Sequence, residues 1–253
     1  MKTKENESFF CDKETGVCSN APITKQQKSE DIDAIQLPKT KLIYYYDALC
    51  GWCFGFSSVM SKISEAYADR FNIEVVSGGL FLGNRTGLVN EVAPYIKAGA
   101  YKSVEERTGV KFGESFLEDL FGKEKIVLNS LPPSIALCIV KEKFPEKELK
   151  FAEMLLHAVY FDGINPINLD NYTKYVEKIG LDKGEFLVKM KDTKYKKLAE
   201  KEFEKFGASN FSGMPTLVLE TENKQVVLTN GYTDFENIKS QLDQLLTSHL
   251  VKL

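Results

Sequence analysis

Long apolar runs are missing from this chain. Nothing approaches the roughly 18 consecutive apolar residues of a membrane-spanning helix, and the opening stretch MKTKENESFF holds no apolar core of a secretory leader. The expectation is a protein with no membrane partner that works in the cytoplasm. One-sided charge is missing as well. Thirty-three Lys and Arg stand against 36 Asp and Glu, for a net charge of −3, and no basic stripe offers itself to nucleic acid. Histidine is scarce: His157 and His249 are the only two, which leaves few ligands for a metal and little choice of base for a Cys–His hydrolase. Five cysteines in 253 residues fall far short of a disulfide-held scaffold. Their spacing has to say what they do.

Hydrophobic patterning divides the chain into four stretches. Residues 1–40 read as a flexible tail, rich in Lys, Glu, Ser, Gln and Asp and closed near Pro38. It carries Cys11 and Cys18, with Thr15-Gly16 as a turn between them. Over residues 41–83 the run Lys41–Tyr46 is β-prone, and Phe56, Val59, Met60, Ile63 and Tyr67 then fall on one helix face. Asn72–Val76 reads as a second strand, which completes a βαβ unit. Residues 84–207 read as helical throughout. Leu131-Pro132-Pro133 after Ser130 marks one helix entry, Pro145 a second, and Asp192 the cap of another. Residues 208–253 hold the hairpin Thr216–Leu219 and Gln225–Leu228, then an amphipathic helix through Phe235, Ile238, Leu242 and Leu245. The whole is an α/β pattern, βαβ then ββα, with an all-helical insertion between the halves.

The chemistry concentrates at Cys50-Gly51-Trp52-Cys53. This pair follows a strand and opens a helix, where unpaired backbone N–H groups and the helix dipole favour a thiolate. Two intervening residues let a single helical turn bring the second sulfur within reach of the first. Asp47, three residues upstream, disfavours the anion when it is ionised and close, and is read as tuning the thiol pKa. Trp52 and Phe54 supply apolar surface beside the sulfurs for a client. A structural zinc site needs a second ligand pair, and only Cys11/Cys18 offers one, at wider than usual spacing. Cys138 sits on an apolar helix face and reads as an inert core thiol. Cys11/Cys18 stands open between a disulfide, a second redox relay and no function at all.

Asp47-Ala48-Leu49-Cys50-Gly51-Trp52-Cys53-Phe54-Gly55-Phe56, the helical block behind it, and Gly213-Met214-Pro215-Thr216 before a late strand together resemble the DsbA-like family. The cytosolic branch labelled FrnE-like or predicted protein-disulfide isomerase is the nearest. The resemblance covers about residues 41–249. It implies a thioredoxin fold with an inserted helical domain, Cys50 as nucleophile and Cys53 as resolving thiol. It also implies that Pro215 is a cis-proline facing the pair, where position alone equally suits a trans proline opening a strand. The backbone of Met214 would then be offered to an extended client. The implied function is thiol–disulfide exchange on protein or peptide thiols. No cofactor is needed beyond the redox-active disulfide itself, with glutathione as a candidate electron partner. The chain departs from the periplasmic oxidants in lacking a His between its cysteines, which points toward reductase or isomerase work. Two alternatives stay open. One is a glutathione-dependent isomerase or transferase of the kappa or hydroxychromene-carboxylate type, the other a non-catalytic zinc-binding module.

Overall fold

The computed structural model describes residues 10–11, 18–19, 40–123, 125–222 and 224–247. Residues 1–37 and 38–253 are separate units. In the first, strands β1 (Phe10–Cys11) and β2 (Cys18–Ser19) pair antiparallel. His249 lies outside the described residues.

The second unit begins with β3 (Lys41–Tyr46), α1 (Gly51–Ala66) and β4 (Asn72–Ser77). A short ladder of β5 (Gly87–Leu88) with β6 (Val127–Leu128) brackets α2 (Val89–Val92), α3 (Tyr101–Thr108) and α4 (Glu114–Glu118). Then come α5 (Leu131–Lys143), α6 (Glu148–Tyr160), α7 (Thr173–Lys178), α8 (Lys183–Lys189) and α9 (Thr193–Gly207). The chain returns to the sheet with β7 (Thr216–Glu220) and β8 (Gln225–Asn230) and ends in α10 (Phe235–Thr247).

One four-stranded sheet, ordered β4-β3-β7-β8, organises the unit. β3 runs parallel to β4, with Tyr46 opposite Ser77, and antiparallel to β7, with Tyr44 opposite Leu217. That central place explains the composition of β3. A strand covered on both faces needs an almost continuous apolar run, and every residue from Leu42 to Tyr46 is buried. Leu42, Tyr44 and Tyr46 face the main core, while Ile43 and Tyr45 meet Val76 and Val218, with Phe206 and Phe211 packed over them. The parallel β3–β4 link passes through α1, whose Phe56, Val59, Met60 and Ile63 are buried.

Between residues 84 and 207 the described regular elements are helices apart from the β5–β6 ladder, and buried residues of these helices join the core cluster of the sheet's main face. Local signals place several helix ends. Asp192 Oδ1 accepts the Lys194 N–H at 2.8 Å, and Asp182 Oδ1 caps α8 through Glu185 N–H at the same distance. The helix expected from Pro145 starts there as a 3₁₀ turn, Pro145–Lys147, before α6 takes over. The segment from Leu169 divides into a 3₁₀ turn, Leu169–Tyr172, and α7, stopped before Gly180 with its φ of +90°. No helix among the described residues is long and apolar enough to cross a membrane.

Candidate active site

Cys50 is the N-cap of α1. Its backbone is extended (φ −96°, ψ 110°), and its own N–H donates to Asp47 O at 3.0 Å. Its sulfur takes the part that Ser or Asp plays at other caps, accepting the Cys53 N–H at 3.4 Å. The same sulfur donates toward Met214 O at 3.6 Å. The Met214–Pro215 peptide bond is cis. The structure thus brings together Cys50, Cys53, Met214 and Pro215, although 164 residues separate Cys50 from Met214. Both cysteines are free thiols.

The two sulfurs differ in setting. Cys50 is 6% exposed and Cys53 fully buried. Burial pushes the Cys53 thiol well above its ordinary pKa. The hydrogen bond with Cys50 and the Cys50 charge push the same way, opposed by the Asp47 backbone N–H and reinforced by the Asp47 carboxylate. Tyr44 and Tyr160 are both buried; the Tyr44 hydroxyl faces the Cys53 sulfur, and the Tyr160 hydroxyl has no hydrogen-bond partner in the protein. Burial raises both phenols far above their usual pKa, and the cysteine charges add to it, Cys53 first at Tyr44 and Cys50 first at Tyr160. An unpaired buried hydroxyl costs stability, and Tyr160 carries one beside the sulfur pair.

Asp47 sits at the end of β3, 1% exposed. Its Oδ1 accepts Leu49 N–H at 2.9 Å and the Ser130 hydroxyl at 3.0 Å, and its Oδ2 accepts Leu80 N–H at 2.8 Å. Ser130 Oγ in turn accepts Phe81 N–H at 2.9 Å. This carboxylate clamps the cysteine loop to the segment after β4 and to the entry of α5. Burial raises its pKa despite those donors. Its charge adds to the causes that raise the pKa of Cys53, the deeper sulfur.

Trp52 is half-buried, with its ring 6.1 Å from that of Tyr232. Phe54 departs from expectation. It is 8% exposed, with its ring 5.4 Å from Phe112 and 5.5 Å from Tyr160. It is a core residue, because the helix that turns Cys53 inward carries the next side chain inward as well, so the docking surface expected of it is absent. A cavity of about 100 Å³ opens beside Cys50 instead, walled by Trp52, Leu80, Tyr95, Tyr101, Phe112 and Tyr160 among others. Larger hollows elsewhere include neither sulfur of the pair. Met214 is half-buried against Gly78, where a Cβ would collide with its sulfur.

Sequence reading missed Tyr44, Tyr160, Ser130, Tyr95 and Gly78 at this site. For Tyr44 a weak signal existed, since an apolar strand one step from a reactive pair rarely needs a hydroxyl. Cys138 is 4% exposed on α5, and burial raises its thiol pKa. Among the described residues no group of three or more His, Cys, Asp and Glu side chains is arranged to hold a metal ion. His157 is half exposed on α6, its Nδ1 3.6 Å from Asp162.

A helix capped by the first of two cysteines, faced by a cis-proline loop on a sheet ordered β4-β3-β7-β8, defines a thioredoxin-type redox protein. The chain belongs to the family of DSBA-like thioredoxin domains, whose profile matches residues 41–243. Among solved structures it is similar to a candidate protein disulfide isomerase from Nitrosomonas europaea (26% identity, TM-score 0.73, covering 83% of this chain and 99% of that one). It is also similar to the cytosolic disulfide reductase DsbM from Pseudomonas aeruginosa, solved with GSH (20% identity, TM-score 0.62, 82% and 99% covered). A 2-hydroxychromene-2-carboxylate isomerase shares the fold at 13% identity (TM-score 0.54, 83% and 95% covered). Among curated proteins none matches significantly.

Proposed function

We propose that this member of the thiol–disulfide oxidoreductase family is a protein-disulfide reductase or isomerase that works through Cys50 and Cys53. The observation that carries the reading is the asymmetry of the two sulfurs. One caps a helix at the edge of a cavity, and the other is sealed beneath it with a raised pKa.

Exchange follows from that asymmetry. The Cys50 thiolate attacks one sulfur of a client disulfide; the client S–S bond breaks, a Cys50–client bond forms, and the other client sulfur leaves as thiolate and takes a proton. Forming the mixed disulfide removes the Cys50 charge and its acceptance of a Cys53 hydrogen bond, two of the causes that hold the Cys53 pKa up. The first step therefore arms the second. Cys53, now more acidic, attacks Cys50 Sγ and expels the client as a thiol, so that two electrons pass from the cysteine pair to the client. A client that rearranges before Cys53 ionises leaves isomerised instead. Met214 O, which accepts the Cys50 thiol in the reduced form, is freed in the mixed disulfide to accept an N–H from an extended client.

Trp52 and the cavity beside Cys50 offer apolar surface to that client, so protein or peptide disulfides flanked by apolar side chains are its substrates. Glutathione is the electron partner that returns Cys50–Cys53 to dithiol, and the cytoplasm, where thiols are held reduced, is its compartment. The hydroxychromene-carboxylate likeness rests on fold alone, and the intact cysteine pair favours exchange. A Cys53→Ala variant should accumulate disulfide-linked client adducts at Cys50 that dithiothreitol releases. A folded variant that accumulates none, while wild type reduces the same client, overturns the assigned roles.

A further inference from the structure

Of the three cysteines other than Cys50 and Cys53, Cys138 is buried in α5 and two belong to the first unit. Cys11 is in β1 and Cys18 in β2, and the register of that ladder sets Phe10 opposite Ser19 and Cys11 opposite Cys18. Directly opposed residues in an antiparallel pair have Cα atoms about 4.5 or 5.5 Å apart, according to whether the pair is hydrogen-bonded. A disulfide needs a Cα separation of about 4.4–6.8 Å. Both classes of pair meet that requirement, so the backbone register satisfies the Cα separation a disulfide needs.

The pairing is local. Six residues, Asp12 to Val17, separate the two in sequence, and the stabilisation a disulfide confers through the unfolded chain shrinks with ring size. A ring this small leaves that contribution at the low end of its range. Weakly held disulfides are the ones that open and close with the surrounding thiol pool.

We propose that Cys11 and Cys18 form a second redox pair, a disulfide that opens and closes against small-molecule thiols and disulfides of the glutathione class. In closing, one cysteine thiolate attacks a sulfur of glutathione disulfide. That S–S bond breaks, a protein–glutathione disulfide forms, and one glutathione thiolate leaves. The other cysteine, deprotonated, attacks the protein sulfur of this adduct and expels the second glutathione. Two electrons and two protons leave the cysteine pair and appear in two glutathione thiols; opening runs the same steps backward. The pair does not depend on the assignment of Cys50 and Cys53.

The full chain carrying Cys50→Ser and Cys53→Ser, and the wild-type chain beside it, are equilibrated in glutathione buffers from reducing to oxidising, quenched in acid, alkylated and cut with trypsin. Cleavage after Lys4, Lys13 and Lys25 places Cys11 on the peptide 5–13 and Cys18 on 14–25. The expected result is one disulfide-linked 5–13/14–25 species, absent in reducing buffer and dominant in oxidising buffer. Its rise should match the loss of two alkyl groups and reverse when the buffer is changed back. Because the linked peptides are equally readable from wild type, a folding defect in the double variant does not obscure the answer. Separate glutathione adducts on Cys11 and Cys18 without linkage, links between two chains, a link that reducing glutathione never opens, or alkylation that begins only after a chelator is added would each overturn the proposal.

Discussion

Replacing Asp47 by Ala tests whether the cysteine loop is held as described. The carboxylate serves three donors, the buried Leu49 N–H and Ser130 hydroxyl and the part-buried Leu80 N–H, at 2.8–3.0 Å. The hydroxyl can turn to another acceptor, but the two amides cannot. A buried donor left without an acceptor costs about 1–3 kcal/mol, so the amides together cost roughly 3 kcal/mol. Relief of a buried charge works the other way, leaving about 2 kcal/mol net on the scale of those orphaned amides. In a urea titration followed by far-UV circular dichroism this lowers the midpoint by roughly 1 M. The pH dependence supplies the sharper check. Burial lifts the native pKa of Asp47 above 3.8, so between that value and the native one the folded state binds more protons than the unfolded state. Wild-type stability then gains, relative to the variant, as pH falls through the native pKa toward 3.8. A gap that narrows on acidification would show a carboxylate stabilised by its donors rather than penalised by burial, and would refute the reasoning.

Other outcomes follow from the same geometry. Tyr160→Phe removes a buried hydroxyl that has no partner, so it should raise stability by about 1 kcal/mol; a loss of stability in denaturant titration would mean the hydroxyl is paired. Lys141 Nζ lies 2.6 Å from Glu202 and 3.5 Å from Glu148 and also reaches Val75 O at 2.5 Å. Lys141→Ala strands two carboxylates, one of them, Glu148, already raised in pKa by burial. It should cost about 2–3 kcal/mol, somewhat below the loss on breaking a fully buried pair. Lys41→Ala breaks contacts at 2.6 and 3.0 Å that water partly screens, and should cost no more than about 1 kcal/mol in the same titration. Gly78→Ala drives a Cβ into Met214 Sδ and Cε; because that side chain is flexible, client turnover should fall more than the unfolding midpoint.

Local features of this protein are legible in its sequence, and long-range ones are not. Lys41–Tyr46 announces a strand buried on both faces because every position is apolar or aromatic after the first. Asp192 announces a helix start because the capping bond is made two residues away. The two halves of the fold and the cysteine pair at a helix mouth belong to the same class. The clamp between Asp47 and Ser130 spans 83 residues, and no periodicity encodes such a bond. Phe54 reads as surface beside the pair, yet its side chain is fixed by Phe112 and Tyr160 from distant helices. The cavity beside Cys50 is invisible for the same reason, since its wall combines the cysteine loop, the segment after β4, and helices α3 and α6.

The difference between Cys50 and Cys53 is open to direct measurement. Reduced wild-type protein is treated with limiting iodoacetamide at neutral pH, quenched at intervals and mapped by peptide mass. Cys50 should be alkylated first, and Cys53, sealed and held protonated, should lag by at least about an order of magnitude, in keeping with a thiolate-only reaction. Equal rates at the two positions, or faster modification of Cys53, would contradict it.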